Sequence, residues 1–437
     1  MVTRVMIEAD KNQHHIAYGD LFAHPTPRQL AAFISGDSET NQGADDATYN
    51  YTAINEVLSR NTLNSFLKGE RLQIGNVLLT GATGYLGIHI LRDLIERDDV
   101  PVIWCLVRAA NVEKAEHRLR GLLFYYFGQS FKELFGTRLR IVLGDVTEDI
   151  VVEGKVDTVF NCAAIVKHFS SGTEIEDVNI GGAEHCVKFC LQTGAKLVHV
   201  STYSTAGMSV EGVPAPDTVF TEQMLYFGQY LDNQYIHSKF ISERIVLEAI
   251  AKQHLNAKIV RLGNLAPRST DGEFQINFQT NSAMGRIRVF KMLGCYPYEL
   301  TDEPLEFSPI NEVAHSIVLL SETPRECVVF HAYNNHPVFF GDVLQELSKI
   351  GEAPRQVEAP HFVEILEEAK QDPEKAKRLS SMLAYQDMAH GQKSIFIAPS
   401  NAYTTQVLYR LGFRWSATSW DYVDRFLTAI DGMGYFD

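Results

Sequence analysis

Val77-Leu-Leu-Thr-Gly81-Ala-Thr-Gly84-Tyr-Leu-Gly87 is the stretch that decides the fold, because its three glycines stand between a short apolar run and an amphipathic one. Gly81 allows a sharp turn, Gly84 allows backbone N–H groups to approach a pyrophosphate, and Gly87 allows a helix to pack closely on a strand. The N terminus of that helix then faces an anion. The motif predicts a dinucleotide site that is contacted by Gly81, Thr83, Gly84, Tyr85, Leu86 and Gly87.

Beyond this motif, β-branched runs alternate with amphipathic stretches, which is typical of a parallel sheet covered by helices on both faces. The predicted strands are Asn76–Thr80, Val102–Val107, Arg140–Leu143, Thr158–Cys162, Lys196–Ser201 and Ala257–Arg261. The helices predicted between them include Gly87–Arg97, Ala115–Phe127, Ala183–Gln192 and Tyr235–Lys252. We therefore predict an α/β fold, a Rossmann-like doubly wound parallel sheet with a smaller, mostly helical C-terminal substrate domain.

Changes in sequence texture set the expected boundaries of the regions. Residues 71–266 form the predicted dinucleotide-binding domain. The chain is expected to return to the sheet of this domain within residues 305–335, at Leu305–Leu320 and Cys327–Ala332. Residues 267–437 form a C-terminal substrate-binding region, the usual place for specificity in a two-part enzyme. Residues 37–70 are a polar linker followed by a leading helix, and residues 1–36 form a short helical piece.

Composition and charge exclude several classes of protein. Asp and Glu number 54 against 39 Lys and Arg, a net charge of −15 that would repel a nucleic-acid backbone. The chain lacks the apolar run of about 18 residues that a membrane span requires, and it lacks a signal-peptide pattern. Its six cysteines have neither metal-ligand nor disulfide spacing, so we expect free thiols and no metal site. These features predict a cytoplasmic protein that binds neither nucleic acid nor a membrane.

The end of the second predicted strand indicates which dinucleotide binds. Cys105-Leu-Val-Arg108 lacks the acidic residue that would accept a bond from a ribose hydroxyl, and the fork of Arg108 can hold a 2′-phosphate instead. Lys114 and Arg118 on the next helix add positive charge nearby. NADPH is therefore favoured over NADH. Further predicted cofactor contacts are Asp145 and Val146 after the third strand, and Asn161 and Ala163 at the end of the fourth.

Three polar residues predict the chemistry. Tyr235 and Lys239 are four residues apart, hence on one face of a helix, and Thr202 ends the fifth strand at the carboxyl edge of the sheet. Carbonyl reduction needs a proton for the developing alkoxide, and a tyrosine with a pKa of about 10 is a poor acid at neutral pH. A lysine cation at about 4 Å favours the phenolate by roughly 4 kcal/mol before screening. We predict Tyr235 as the acid, Lys239 as its activator and a ribose ligand, and Thr202 as a donor to the substrate oxygen.

In order and spacing, Gly81–Gly87, Asn161–Ala164, Thr202, Tyr235 and Lys239 resemble the extended short-chain dehydrogenase/reductase family over residues 71–335. The phrases LLTGATGYLGIHIL, CLVRA, GDVTED, VNIGGAEHCVKFC, HVSTYS, YIHSKFISE and RLGNLAPRSTDGEF are similar to thioester reductase domains of nonribosomal peptide synthetases and to the reductase part of carboxylic acid reductases. The resemblance implies a thioester substrate on a phosphopantetheine arm, released as an aldehyde; a further reduction to an alcohol stays open. Tyr203 departs from the family pattern, which has a smaller or aliphatic residue there.

The N-terminal stretch Asp20-Leu-Phe-Ala-His-Pro-Thr-Pro-Arg-Gln-Leu-Ala-Ala-Phe-Ile34 looks like the closing segment of an acyl or peptidyl carrier domain. Thr26 followed by Pro27 is a favourable helix start, with a cap and then a proline in the first turn. The likeness implies that residues 1–36 are the remnant of a carrier (thiolation) domain, and that a carrier bearing the thioester is the partner. The alternative is an ordinary amphipathic helix.

Two other functions stay open at this point. A nucleotide-sugar epimerase or dehydratase shares the cofactor and the catalytic residues but retains its nicotinamide without net consumption. Arg108 and the carrier-like N terminus argue against it. A non-catalytic dinucleotide sensor would keep the glycines and would have no need of Thr202, Tyr235 and Lys239.

Overall fold

The computed structural model describes residues 26–35, 44–167, 172–231, 233–278, 282–372 and 394–436, with single positions at 5, 9, 14, 16, 21, 374, 375, 378 and 379. Most of the predicted carrier remnant and linker residues 36–43 lie outside the described residues. Helix α1 (Pro27–Ile34) begins after Thr26, whose hydroxyl accepts from the Gln29 N–H at 3.3 Å. The Gln29 side chain accepts in return from the Thr26 N–H at 3.2 Å, so the predicted helix start is confirmed as a capping box.

The strands in chain order are β1 (Val77–Thr80), β2 (Ile103–Val107), β3 (Leu139–Leu143), β4 (Thr158–Asn161), β5 (Lys196–Thr202), β6 (Met208–Val210), β7 (Ala257–Leu262), β8 (Leu265–Ala266), β9 (Cys295–Pro297), β10 (Pro304–Leu305), β11 (Ser308–Pro309), β12 (Val329–Ala332), β13 (Val338–Phe339), β14 (Arg355–Val357) and β15 (Ser394–Phe396). Within the described residues, seven of them form one parallel sheet in the order β12-β7-β5-β4-β1-β2-β3. The strand order reverses between β1 and β4. The crevice beyond their carboxyl ends is where such sheets bind ligands.

The remaining helices are α2 (Ala44–Thr48), α3 (Thr52–Ser59), α4 (Leu63–Lys68), α5 (Tyr85–Ile95), α6 (Val112–Phe127), α7 (Glu174–Glu176), α8 (Gly182–Thr193), α9 (Gln234–Gln253), α10 (Ser282–Leu293), α11 (Ile310–Leu320), α12 (Phe340–Glu346), α13 (Ala359–Gln371), α14 (Ala402–Arg410) and α15 (Trp420–Gly432). The buried side chains of α5, α6 and α11 form one core with the sheet, and those of α3, α8 and α9 form another. Helices therefore cover both faces of the sheet, as the sequence predicted.

The C-terminal region has an apolar core of its own. Phe290, Phe340 and Phe426, from α10, α12 and α15, pack together there beside the short strand pairs β9–β14 and β10–β13. Helix α14 differs from its neighbours, because its Val407 is buried in the core of the main sheet. The region 267–437 thus contributes to both cores. Among the described residues, no helix combines the length and apolar character needed to cross a membrane.

The six strands predicted from the sequence are confirmed, each with ends within about one residue. The expected return of Cys327–Ala332 to the sheet is confirmed as β12, whereas Leu305–Leu320 returns mainly as helix α11. Ile310, Val313 and Ile317 are buried at helical spacing, and they cover the same face of the sheet as α5. A run of apolar residues this dense cannot be assigned to strand or helix by periodicity alone.

We expect Gly87→Ala to destabilise the sheet domain, because an added Cβ would lie 2.1 Å from the carbonyl oxygen of Gly81. The cost should be about 3 kcal/mol, the upper end for overpacking, measured by urea unfolding. Gly121→Ala is the matched control, since a Cβ on this glycine of α6 meets no atom within 4 Å. It should gain about 0.5–1 kcal/mol from helix propensity. Equal stability of the two variants would contradict the close approach of α5 to the turn.

Candidate active site

The turn between β1 and α5 forms a close backbone cradle. Gly81 has a φ of +70°, and a Cβ there would lie 2.7 Å from the backbone nitrogen of Ala163. Gly84 is the N-cap residue of α5, and its N–H donates to the Gly81 carbonyl at 2.9 Å. Within the described residues, no side chain caps this helix end. The first-turn N–H groups are thus directed outward, and the cradle fits the pyrophosphate of a dinucleotide.

Other side chains of the motif are used inside the protein. The hydroxyl of Tyr85 donates to the carbonyls of Ala266 and Glu273, each at 3.3 Å, and Leu86 is buried in the core of the sheet. Thr83 is partly buried. Any contact of Tyr85 or Leu86 with a dinucleotide pyrophosphate would therefore be made by the backbone N–H.

Arg108 and Asp145 face each other beyond the ends of β2 and β3. Nη1 of Arg108 lies 3.4 Å from Oδ2 of Asp145, and the Arg108 side chain is 74% exposed. An exposed, planar guanidinium can turn toward a phosphate at little desolvation cost. Arg118 is also exposed, on α6, whereas Val146 is buried and its side chain approaches Gly182. The predicted charged contacts are therefore accessible, and Val146 is not.

Asn161 is engaged by its neighbours in the sheet. Its Oδ1 accepts from the Thr80 hydroxyl at 2.7 Å, and its Nδ2 donates to Nδ1 of His199 at 3.2 Å. Burial lowers the pKa of His199 well below its usual value, so this ring stays neutral and can accept that bond. The backbone N–H of Ala163 donates to the Thr80 hydroxyl at 3.2 Å. Asn161 thus fixes β1, β4 and β5 together at their carboxyl ends, and its contact with a cofactor stays a prediction.

The ammonium of Lys239 connects α9 to the end of β5. Lys239 is buried, and its Nζ donates to the carbonyl of Val200 at 2.6 Å. Burial lowers the pKa of Lys239 to about 8, against the opposing effect of the Glu243 carboxylate. At neutral pH the side chain is therefore still mostly protonated, which is the state that its predicted role requires.

Tyr235 and Thr202 lie near this junction, on the same two elements. Tyr235 is in the first turn of α9, one turn before Lys239, and is partly exposed. The side chain of Asn233 accepts from a backbone N–H of that turn at 2.9 Å and so fixes where α9 begins. Thr202 ends β5, and its hydroxyl oxygen accepts from the Ser204 N–H at 3.1 Å. The fold thus directs α9 and β5 to one edge of the sheet, and the catalytic roles stay predictions.

Glu243 and Arg261 form a fully buried ion pair behind this edge, which sequence reasoning missed. Arg261, on β7, donates from Nη2 and Nε to Oε2 of Glu243 at 2.7 and 2.9 Å, and Ser201 donates to Oε1 at 2.5 Å. Interior charges are stable only when paired and hydrogen-bonded in this way. A signal was available, because Tyr235, Lys239 and Glu243 recur every four residues and hence share one face of α9.

Asn179 is a second residue that sequence reasoning missed. It lies in a π-helical turn, Asp177–Gly181, which leads into α8. Its Nδ2 donates to the Ser238 hydroxyl at 2.9 Å and to the Ile165 carbonyl at 3.0 Å, and its backbone carbonyl accepts from the Ser242 hydroxyl at 2.8 Å. Asn179 therefore holds the helix that carries Lys239. Little signal was available in the sequence, because Asn179 precedes the predicted helix Ala183–Gln192.

A carboxyl group from the C-terminal region lies beside Tyr203, the residue that follows Thr202. Oε2 of Glu306 accepts from the Asn264 N–H at 2.5 Å, and the hydroxyl of Ser308 donates to the same carboxyl group. The hydroxyl of Tyr203 lies 3.5 Å from Oε2 of Glu306 and accepts from Nδ2 of Asn264 at 3.0 Å. Burial raises the pKa of Glu306 to about 7. Tyr203, where this sequence departs from the family pattern, thus joins the sheet to the C-terminal region.

A family model supplies the identification. Residues 79–317, more than half of the chain, match the model of a family of NAD-binding domains described as male sterility protein. The chain belongs to the male sterility protein family. Within the extended short-chain dehydrogenases/reductases, it is a thioester reductase domain of the kind found in nonribosomal peptide synthetases, as its relatives indicate.

Three relatives carry this assignment. A thiolation-reductase di-domain from an archaeal nonribosomal peptide synthetase is 33% identical with a TM-score of 0.88, and the match covers 100% of this chain and 91% of that one. The reductase domain of the aureusimine biosynthetic cluster is 26% identical with a TM-score of 0.74, covering 88% and 98%. A linear gramicidin synthase of Brevibacillus parabrevis is 29% identical over 318 residues, which are 70% of this chain and 6% of that protein. The chain spans between 6% and 35% of the length of such curated relatives.

Glu306 should make stability depend on pH. Its pKa is raised from the ordinary value of 4.5 to about 7 in the folded state, so its stabilising effect is fully present below about 4.5 and is lost as the pH rises through about 7. Glu306→Gln mimics the protonated form and should remove this part of the pH dependence. Urea unfolding between these pH values checks it: the wild-type free energy of unfolding should fall relative to that of the variant. Parallel curves would show that Glu306 does not titrate in this range.

Proposed function

We propose that this chain is an NADPH-dependent thioester reductase that releases an acyl or peptidyl group from a carrier-bound phosphopantetheine thioester as an aldehyde. One observation carries the proposal: the buried ammonium of Lys239 holds the helix of Tyr235 against the end of β5, where Thr202 lies. That edge adjoins β4 and β1, and β1 leads into the glycine cradle. The solved structures that match this chain at 33% and 26% identity contain reductase domains.

The proposed reaction balances as a two-electron reduction. When bound, the dinucleotide supplies a hydride to the carbonyl carbon of the thioester. The carbonyl oxygen takes a proton and gives a thiohemiacetal. Its carbon–sulfur bond then breaks, the thiol leaves with a proton, and the carbonyl re-forms as an aldehyde. The same residues would serve a second reduction to an alcohol, so product analysis decides between the two outcomes.

The residues of this chain have separate roles in the proposal. Tyr235 gives its phenolic proton to the substrate oxygen, and the Thr202 hydroxyl donates to that oxygen as negative charge develops on it. Lys239 favours the phenolate form of Tyr235 through its positive charge, which is retained at neutral pH because the pKa is about 8. Lys239 also binds the nicotinamide ribose. Arg108, with Arg118 nearby, pairs with the 2′-phosphate of NADPH.

The proposed partner is a carrier domain. The capped helix α1 lies in the segment whose sequence resembles the end of a carrier domain. The match to the thiolation-reductase di-domain covers the whole length of this chain, including that segment. We infer that residues 1–36 belong to a carrier domain and that the thioester is presented on its phosphopantetheine arm.

Turnover of a model thioester tests the proposed function. The chain should oxidise NADPH in the presence of acyl- or dipeptidyl-pantetheine thioesters and give an aldehyde or alcohol detectable by mass spectrometry. Tyr235→Phe should lower kcat by about 10²–10⁴-fold, because the proton donor is lost. Tyr409→Phe, on the exposed side of α14, is the matched control and should keep full activity. Tight retention of an unconsumed nicotinamide, with no turnover across a broad panel of acyl groups, would favour an epimerase-like function instead.

Arg108 should determine the choice between NADPH and NADH. Arg108→Gln should weaken NADPH binding by roughly 10–100-fold, the equivalent of a charge-assisted contact worth about 1.5–3 kcal/mol, and should leave NADH binding unchanged. Isothermal titration calorimetry with each cofactor measures the effect. Arg414→Gln, an exposed arginine beside Tyr409, controls for the general loss of positive charge. An equal loss for both cofactors would remove Arg108 from the phosphate site.

A further inference from the structure

The segment between the carrier-like helix and β1 is firmly attached to the sheet domain. Asn61, which is 1% exposed, donates from Nδ2 to the carbonyls of Val329 at 2.8 Å and Glu222 at 3.1 Å. Its Oδ1 accepts from the Val328 N–H at 2.9 Å. Leu58 of α3 is buried in the same core as α9. The described part of the predicted linker, from residue 44 onward, is therefore part of the folded domain.

Asp46, at the start of this segment, directly contacts α9, the helix that carries Tyr235 and Lys239. Its side chain on α2 is 7% exposed. Oδ2 accepts from Nε2 of His237 at 2.9 Å, and Oδ1 accepts from Nη1 of Arg244 at 2.9 Å. His237 lies between Tyr235 and Lys239 in the sequence of α9. A buried carboxylate that accepts one bond on each oxygen is held in a defined position, and bonds to charged groups are the stronger kind.

Aromatic contacts extend this attachment. The guanidinium of Arg244 lies 4.7 Å from the ring centroid of Tyr49, which follows α2. Tyr51 stacks on Tyr226 with ring centroids 5.1 Å apart and an interplanar angle of 15°. Tyr226 belongs to the loop that leads into α9. The segment thus contacts both α9 and the loop that leads into it. Cation–π and stacked pairs of this kind add about 0.5–1.5 kcal/mol each.

The two sides of α9 are held by different parts of the chain. On the side toward the sheet, Lys239 bonds to β5 and Glu243 pairs with β7. On the side of α2, Asp46 holds His237 and Arg244. Because Tyr235 lies in the first turn, a small rotation of α9 displaces its hydroxyl relative to the substrate oxygen, and displacements of about 1 Å can cost 10²-fold in rate.

We propose that Asp46 is a positioning residue: through His237 and Arg244 it fixes the orientation of α9, so that the segment following the carrier sets the catalytic geometry of Tyr235 and Lys239. This inference rests on the proposed thioester reductase function. Asp46 precedes the sheet domain and touches neither substrate nor cofactor in this scheme. It acts on the rate through the helix.

Asp46→Asn in the full chain tests the proposal, with NADPH and the acyl-pantetheine thioester that the wild type reduces fastest. The carboxamide keeps the shape but removes the charge. We expect kcat to fall by about 10–100-fold through misplacement of Tyr235, with KM and NADPH affinity unchanged. Asp149→Asn is the matched control, because Asp149 likewise bridges a histidine and a cation, His185 and Lys188, on α8. It should leave kcat unchanged.

A double-mutant cycle isolates the contact. Arg244→Gln should lower kcat in the same way. The double variant Asp46→Asn, Arg244→Gln should be no slower than the slower single variant, because each substitution already removes the interaction between Asp46 and Arg244. Fully additive losses would overturn the proposal. So would a wild-type kcat in Asp46→Asn, or a loss of NADPH binding equal to its loss of kcat.

Amide hydrogen exchange provides a readout that does not need turnover. In Asp46→Asn, exchange should accelerate in the first two turns of α9 and stay unchanged in α5. If the wild type reduces no thioester, the proposed function fails, while faster exchange confined to α9 still supports the positioning role. Unchanged exchange in α9 together with normal kcat overturns the role of Asp46 and leaves the proposed function intact.

Discussion

Burial of the Lys239 ammonium against the end of β5 is the constraint on which the active edge depends. By active edge we mean the carboxyl edge of the sheet where Thr202 and the first turn of α9 lie. A cation in the interior is costly unless it is hydrogen-bonded and lies near a negative charge. Here the Val200 carbonyl accepts from Nζ, and Glu243 lies one turn further along α9. Glu243 is in turn balanced by Arg261 on β7. This chain of charges draws α9 across β5 and β7 and brings the first turn of α9 to the carboxyl edge of the sheet.

Segments far apart in the sequence meet around this helix and the residues that follow β5. Asp46 arrives from before the first strand, and Asn179 arrives from the π-helical turn before α8. Glu306 arrives from the C-terminal region and bonds to Asn264 beside Tyr203. The residue next to Thr202 thus contacts the region that we expect to bind the acyl group. The active edge is consequently a junction of linker, sheet and C-terminal region.

The sequence predicted those features that depend on local spacing. The glycine turn has the positive φ at Gly81 and the close approach at Gly87 that the motif required. The six strands were found because short buried runs have a recognisable length and composition. The partners of side chains were not predictable in the same way. The contact of Asn161 with a cofactor stays a prediction, whereas the bonds of its amide to Thr80 and His199 could not be predicted, because strand order decides that these residues are its neighbours.

By itself, the sequence determined the α/β class, the dinucleotide cradle and the shared helix face of Tyr235 and Lys239, because these follow from the fixed repeats of strands and helices. Only the tertiary structure decided which charges pair. Glu243 and Arg261 are 18 positions apart, and Asp46 and Arg244 are 198 apart. Such pairs form when packed elements exclude water, and a buried charge then takes whichever opposite charge the fold brings within reach.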